Sequence, residues 1–133
     1  MKPTEPRHLF VYGTLKQDSH HPMSRVLRRH ARRVGPGVFR GQLYRVGWYP
    51  GAKDSPRLTE RVFGELYVLE HPAPCLEALD AYEGSEFVRV ARDIRRGRRR
   101  YTAWIYLYEP PIERLARIPD GRFVTTRRTA HTR

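Results

Sequence analysis

The chain has 133 residues, which is the usual size of one domain with a single hydrophobic core. Its longest run of apolar and aromatic residues, Ala103 to Tyr108, is too short to cross a bilayer, and Cys75 is the only cysteine, so an internal disulfide is excluded. The net charge of +12 leaves nucleic-acid binding open as an alternative function. The polar amino terminus lacks the apolar segment of a signal peptide, so we expect a cytoplasmic protein without a membrane partner.

The first half of the chain predicts three strands and one helix. Pro22 is well placed to begin the helix, because Met23, Val26 and Leu27 share the helical spacing of one apolar face. The predicted strands are short apolar runs, at His8–Tyr12, Val38–Tyr44 and Val62–Leu69. Between them we expect a break at 35–37, an aromatic turn at 47–51 and an exposed polar segment at 52–59.

The second half predicts a short helix and a hairpin. Two prolines precede the helix, which runs from Cys75 to about Tyr82 and ends at Gly84. The hairpin turns around Gly97 and joins strands predicted at Phe87–Ile94 and Tyr101–Tyr108. With its short connections, this order favours an α+β fold: a small, mostly antiparallel β-barrel or strongly curved sheet flanked by two helices. We expect the domain to cover residues 8–123 and a basic, flexible tail to cover 124–133.

Glu83 is the first candidate for chemistry. It lies at the carboxyl end of the predicted helix, where the helix dipole disfavours a negative charge, and Tyr82 and Phe87 are placed to shield it from water. Both effects raise the pKa of a carboxyl group and suit it to act as a general base. The alternative is an ordinary solvated glutamate, which is the commoner role of this residue type. A second acid, Glu86, begins the next strand and is expected to point to solvent.

The loop after the first strand is the second candidate. Tyr12, Gly13, Thr14 and Leu15 follow a buried strand at the point where the chain turns outward, so their backbone N–H groups can hold a carboxylate or an oxyanion. Gly13 permits a ligand to approach the backbone closely. The alternative is a glycine that simply ends a strand.

Other reactive side chains carry weaker patterns. Cys75 lies near a helix start, which favours a thiolate, but a buried structural cysteine is the more common case. His20 and His21 are adjacent and so point apart, which does not suit a metal site. Trp48 and Tyr49 could form a stacking platform, although aromatic turns more often close the end of a small sheet.

Five segments in this order resemble the γ-glutamyl cyclotransferase-like family, in its branch with AIG2-like and γ-glutamylamine cyclotransferase proteins. The resemblance runs from His8 to Tyr108 and leaves the last part of the chain uncovered. One departure is Phe87, where family members often carry tyrosine, so we expect a drier pocket. The matching segments are Val11-Tyr12-Gly13-Thr14-Leu15-Lys16, Gly41 to Tyr44 with Gly47 to Gly51, Val62 to Tyr67, Leu79 to Gly84 with the strand that follows, and Ala103 to Tyr108.

The resemblance implies a small mixed β-barrel and a cyclotransferase reaction. Glu83 takes the position of the family's catalytic acid, the Tyr12–Leu15 loop that of its substrate-holding segment, and Tyr49 belongs to the aromatic turn of the substrate pocket. The expected reaction releases 5-oxoproline and a free amine from a γ-glutamyl compound, and it needs no cofactor or metal because nucleophile and electrophile are tethered.

Two other functions stay open. A binding module could keep this pocket without turnover, and the arginines could bind a nucleic acid. Because those arginines are scattered and no base-reading motif accompanies them, we expect a solvated surface with no specific nucleic-acid partner. The amine half of the substrate and the oligomeric state are not predicted.

Overall fold

A computed structural model describes residues 5–13, 22–47 and 49–123, and within these the chain forms two helices and seven strands. In chain order the elements are β1 His8–Val11, α1 Pro22–His30, β2 Ala31–Val46, β3 Tyr49–Asp54, β4 Arg61–Leu69, α2 Pro72–Glu83, β5 Phe87–Arg96, β6 Arg99–Tyr108 and β7 Ala116–Arg117. Both predicted helices and the hairpin at Gly97 are confirmed, and Gly97 has the positive φ of 61° that its turn requires.

Five of these strands close into a barrel. The order is β2-β4-β1-β6-β5, and β5 returns to β2 through the pairs Val38 with Arg95 and Phe39 with Ile94. The β1–β6 pair is parallel, and the other pairs are antiparallel. The predicted α+β fold, a small mixed and mostly antiparallel barrel flanked by short helices, is confirmed.

The central strand β1 is buried on both faces, which explains its uninterrupted apolar sequence. Phe10 points into the barrel interior with Leu66 and Ile94, whereas Leu9 packs outward against Leu27 of α1 and Leu79 of α2. A fully buried side chain of this kind stabilises the fold by about 1.5–3 kcal/mol. The helices therefore cover β1, and the chain that leaves its end emerges beside α2.

The predicted break at Gly35-Pro36-Gly37 is wrong. These residues lie inside β2, which pairs with β4 from Ala31 to Arg40 and shifts its register between Arg33 and Gly35. Such a β-bulge tolerates a proline without an N–H, and Gly35 takes a φ of 151° there. The Pro36 carbonyl accepts a hydrogen bond from Arg96 across the barrel seam.

The predicted turn at 47–51 and exposed segment at 52–59 are wrong where they overlap strand β3, whereas residues 56–59 are exposed as predicted. Residues 49–54 form β3, which pairs with β2, and Ala52 is fully buried. A run of Pro, Gly and Lys carries no strand signal, because the tertiary pairing with β2 overrides its local preference. The two-residue strand β7, which pairs with β2, was not predicted at all.

The described chain contains no helix with the length and apolar character needed to cross a membrane. The predicted tail at 124–133 lies outside the described residues, so the domain boundary at residue 123 stays a prediction.

Candidate functional site

A cavity of about 250 Å³ opens where β1 ends, between the barrel and α2. Strands β1, β3, β5 and β6 and the end of α2 all contribute to its wall. It is lined by Leu9, Phe10, Val11, Tyr12, Gly13, Tyr49, Pro50, Tyr82, Glu83, Phe87 and Tyr106. Aromatic and apolar side chains surround one carboxylate, which is typical of a small-molecule site.

Four of the six residues predicted for the site lie in this one cavity, namely Tyr12, Gly13, Tyr49 and Glu83. They come from three separate stretches of the sequence and meet only because β3 and α2 flank the end of β1. Thr14 and Leu15 lie outside the described residues.

Glu83 is the last residue of α2 and is half-buried. The helix ends there because Gly84 adopts a φ of 77° and its N–H donates to the carbonyl of Asp80. Burial raises the pKa of Glu83 to about 7, and the negative charge of Asp80 adds to the shift. Tyr82 and Phe87, the two side chains predicted to shield Glu83 from water, both line the cavity, although Tyr82 is 40% exposed. A carboxyl group with this pKa is partly ionised at neutral pH and can both accept and return a proton.

Tyr12 connects the strands that form the wall of the cavity. Its hydroxyl donates to the Tyr106 carbonyl of β6 at 2.6 Å and accepts the Ala52 N–H of β3 at 3.1 Å. Burial of the hydroxyl raises its pKa, so it stays protonated. Its proton is used in the hydrogen bond to the Tyr106 carbonyl, which is part of the fold. Tyr12 therefore ties β1 to β3 and β6 around the site.

Gly13 lies against Pro50, and a Cβ atom added at position 13 would come within 3.0 Å of the Pro50 Cγ. The absence of a side chain at position 13 thus lets Pro50 of β3 pack closely against the end of β1 in the cavity wall. The neighbour that approaches closely in the structure is Pro50, and the close approach of a ligand to the Gly13 backbone stays a prediction.

Sequence reasoning missed a polar network beside Glu83. The Tyr106 hydroxyl donates to Asp80 Oδ1 at 2.6 Å, and Arg89 of β5 binds both carboxylate oxygens of Asp80, at 2.8 and 3.0 Å. The Arg89 guanidinium also stacks 4.2 Å from the centre of the Trp104 ring. These contacts keep Asp80 ionised by lowering its pKa, and one turn of helix places it next to Glu83. The spacing of Asp80 and Glu83 was the available signal in the sequence.

Tyr49 contacts the second acid of the region. Its hydroxyl donates to Glu86 Oε1 at 2.9 Å, and its ring lies 6.1 Å from that of Phe87. Glu86 is exposed, as predicted, but the bond to Tyr49 joins it to the cavity wall. The hydrogen bond raises the pKa of Tyr49, so this hydroxyl stays protonated and acts as a donor.

The other candidates lie away from the cavity or outside the described chain. Cys75 is fully buried, and burial raises the pKa of its thiol to about 11, which supports the structural interpretation over the nucleophilic one. Among the described residues, no group of three or more His, Cys, Asp or Glu side chains is arranged to hold a metal ion. His20, His21 and Trp48 are outside the described ranges.

The fold and cavity define a small mixed barrel with one semi-buried acid, and comparison with known proteins gives its family. A family model described as gamma-glutamyl cyclotransferase, AIG2-like, matches residues 9–125. A gamma-glutamylcyclotransferase family protein, ytfP of Citrobacter rodentium, is 33% identical over 121 residues, which is 87% of this chain and 94% of the relative. The chain therefore belongs to the γ-glutamyl cyclotransferase, AIG2-like family, and the resemblance based on the five segments is confirmed.

Solved structures show the same fold. An AIG2-like protein from Mus musculus superposes with a TM-score of 0.71 at 23% identity, over 91% of this chain and 90% of that one. YkqA from Bacillus subtilis superposes with a TM-score of 0.74 at 18% identity, over 97% of this chain, which spans 44% of YkqA.

Proposed function

We propose that this protein is a cofactor-independent γ-glutamyl cyclotransferase, which converts a γ-glutamyl compound into 5-oxoproline and a free amine. The observation that carries the proposal is the half-buried Glu83, with a pKa of about 7, facing the same cavity as Gly13 at the end of β1. Membership of the family supports the class of reaction. An acid poised near neutral pH is the group that such a proton transfer needs.

In the first step, ionised Glu83 takes one proton from the α-ammonium group of the substrate. The freed α-nitrogen attacks the γ-carbonyl carbon of the same molecule, which forms the ring C–N bond and leaves a negative charge on the carbonyl oxygen. Because both groups belong to one molecule, the cavity has only to hold the glutamyl chain folded. We assign the support of the oxyanion to the backbone N–H groups of the Tyr12–Leu15 loop, where each donor in comparable sites contributes about 3 kcal/mol.

In the second step, the carbonyl re-forms and the bond to the departing nitrogen breaks. Glu83 returns its proton to that nitrogen and, ionised again, accepts the second proton of the ring nitrogen and passes it to the departing amine. The α-nitrogen therefore loses two protons overall, and the amine leaves with both as an ammonium ion. Tyr49 and Tyr82 line the cavity as the remaining polar aromatic groups, and we assign Tyr49 to substrate binding.

The test is the replacement Glu83→Gln, which keeps the size of the side chain but cannot accept a proton. We expect the variant to fold, to bind substrate and to lose at least ~10²-fold in turnover, the usual scale of general-base catalysis. The measurement is 5-oxoproline release from a panel of γ-glutamylamines, γ-glutamyl-lysine and γ-glutamyl peptides, which also defines the amine half of the substrate.

Glu77→Gln is the matched control, because Glu77 is an exposed acid on the same helix. Glu86→Gln should lose far less activity than Glu83→Gln, although it replaces the charged acceptor of Tyr49 with a neutral amide oxygen. Release of 5-oxoproline at the wild-type rate by folded Glu83→Gln would refute the catalytic assignment. Tight binding of γ-glutamyl compounds by the wild-type protein, without turnover of any of them, would instead identify a binding module.

A further inference from the structure

Arginines lie directly opposite one another at two places on the outer face of the barrel. Arg40 of β2 is in register with Arg61 of β4, and Arg95 of β5 is in register with Arg100 of β6. Side chains directly opposite in antiparallel strands share a face, with Cβ atoms about 5 Å apart, and like charges in this position are destabilising. The fold therefore holds two pairs of mutually repelling cations.

The closure of the barrel brings the two pairs together. Val38 lies two residues before Arg40, on the same face of β2, and pairs with Arg95 across the seam between β2 and β5. All four arginines line one cavity of about 290 Å³, which shares no lining residue with the cavity of Glu83. Arg95 and Arg100 belong to one hairpin, but this pair is far from Arg40 and Arg61 in the sequence, so only the closed barrel brings the two pairs into one cluster.

The charges in this cavity are unbalanced. Arg92, a fifth arginine in its wall, is neutralised by Asp54, which it binds through two contacts of 2.8 Å. Asp93 is the one other acid in the wall. Within the described part of the chain, the side chains of Arg40, Arg61, Arg95 and Arg100 form no ion pair or hydrogen bond. Four free guanidinium groups thus face one remaining carboxylate.

We propose that this cavity binds a small multivalent phosphate anion, such as a di- or triphosphate group. The planar guanidinium fork matches phosphate oxygens two at a time, and a ligand with several charges relieves both repelling pairs at once. A short anion fits better than a nucleic-acid backbone, because Asp93 and the Asp54–Arg92 pair lie in the wall that an extended polyanion would cross. Leu58, which is 72% exposed, gives the rim an apolar edge that suits an organic group attached to the phosphates.

Titration calorimetry with sodium tripolyphosphate at ~150 mM salt, where surface charges are screened beyond about 8 Å, tests the proposal on the whole protein. We expect saturable binding with one site per chain. The double variants Arg40→Gln/Arg61→Gln and Arg95→Gln/Arg100→Gln should each weaken it at least ~10-fold, the scale of losing charge-assisted hydrogen bonds. Arg25→Gln/Arg29→Gln removes the same charge from exposed positions of α1 and should change binding less than about 2-fold, since screening leaves it little influence.

Thermal unfolding gives a second readout that separates a lost site from a lost fold. Without ligand, both cavity variants should melt at or above the wild-type temperature, because each removes a like-charge pair. Tripolyphosphate should raise the melting temperature of the wild-type protein more than that of either variant. The proposal is overturned if the wild-type protein shows no saturable binding, or if the α1 control loses as much affinity as the cavity variants. Tighter binding of a duplex or single-stranded oligonucleotide through the same arginines would also overturn it, in favour of a nucleic-acid surface.

Discussion

At the scale of single residues, the proposed chemistry of the site depends on two acids one helical turn apart. Asp80 is fixed as a carboxylate by Arg89 and Tyr106, and its charge disfavours the ionised form of Glu83. Burial is the larger cause of the raised pKa of Glu83, so Asp80 adjusts a value that the cavity wall already sets. In the proposed reaction, Asp80 would therefore act through Glu83, as a positioning residue.

This arrangement predicts the pH dependence of the reaction. Because Glu83 must be ionised to accept a proton, kcat/KM should rise with pH and level off above its pKa of about 7. Asp80→Asn removes a negative neighbour and frees the Arg89 cation, and both changes lower the pKa of Glu83, so the midpoint of the rise should move to lower pH. The pH profile of 5-oxoproline release measures this midpoint.

Asp93→Asn is the control for that prediction, since it removes one acidic charge at a position outside the cavity of Glu83. Its midpoint should stay at the wild-type value. An unchanged midpoint in a folded, active Asp80→Asn protein would show that Asp80 has no influence on the proton affinity of Glu83.

At the scale of elements, the site is a junction between the end of β1, strand β3 and the end of α2. Glycines follow two of these elements: Gly13 comes after β1, and Gly84 terminates α2. Pro50 of β3 lies against Gly13. The buried hydroxyl of Tyr12 connects β1 to β3 and β6. A small change at Gly13 should therefore alter the shape of the cavity without removing Glu83.

Replacement of Gly13 tests this junction in two graded steps. In Gly13→Ala the new Cβ meets Pro50 at 3.0 Å, so the proline must move slightly, and we expect a rise in KM with a folded protein. Gly13→Val adds two methyl groups in the same place and should abolish measurable binding of γ-glutamyl compounds. Calorimetric titration of a γ-glutamyl ligand, alongside circular dichroism, measures both variants. Normal ligand binding by folded Gly13→Val would mean that the loop is misassigned.

At the scale of the whole molecule, the raised pKa of Glu83 has a cost in stability. Its pKa in the folded state is about 7, against an ordinary value of 4.5, so the folded protein holds this proton more tightly than the unfolded chain does. The favourable contribution of the protonated form is complete below pH 4.5 and is lost as the pH rises through 7. Above that pH the fold carries a half-buried charge.

Glu83→Gln should therefore stabilise the fold while it removes activity. At pH 8 the free energy of unfolding should increase by about 2–3 kcal/mol, and the gain should shrink towards zero near pH 4. Chemical denaturation at the two pH values measures it, with Glu77→Gln as the control that should show no such pH-dependent gain. An equal stability of Glu83→Gln and wild type at pH 8 would contradict the burial of an unfavourable charge at this position.

The local sequence was sufficient for much of the architecture and for one catalytic candidate. Strand β1 follows from its apolar residues, α2 from the prolines in its first turn and Gly84 after it, and the β5–β6 hairpin from its turn at Gly97. Glu83 could be predicted as a candidate because its position at a helix end, between aromatic residues, is visible in the adjacent sequence. These properties depend on backbone preferences and side-chain periodicity within a few residues, so they can be predicted directly from the sequence.

The tertiary structure alone decided the remainder. It made Gly35-Pro36-Gly37 part of a continuous strand, turned residues 49–54 into β3, and placed Arg89 and Tyr106 on Asp80. It also gathered Arg40, Arg61, Arg95 and Arg100 at the seam where β5 meets β2. Apart from the β2–β3 and β5–β6 hairpins and the short separation of Asp80 and Arg89, these contacts join segments that are distant in the chain. Their formation depends on the closure of the barrel, and the energy gained by that closure exceeds the local preferences from which a sequence is interpreted.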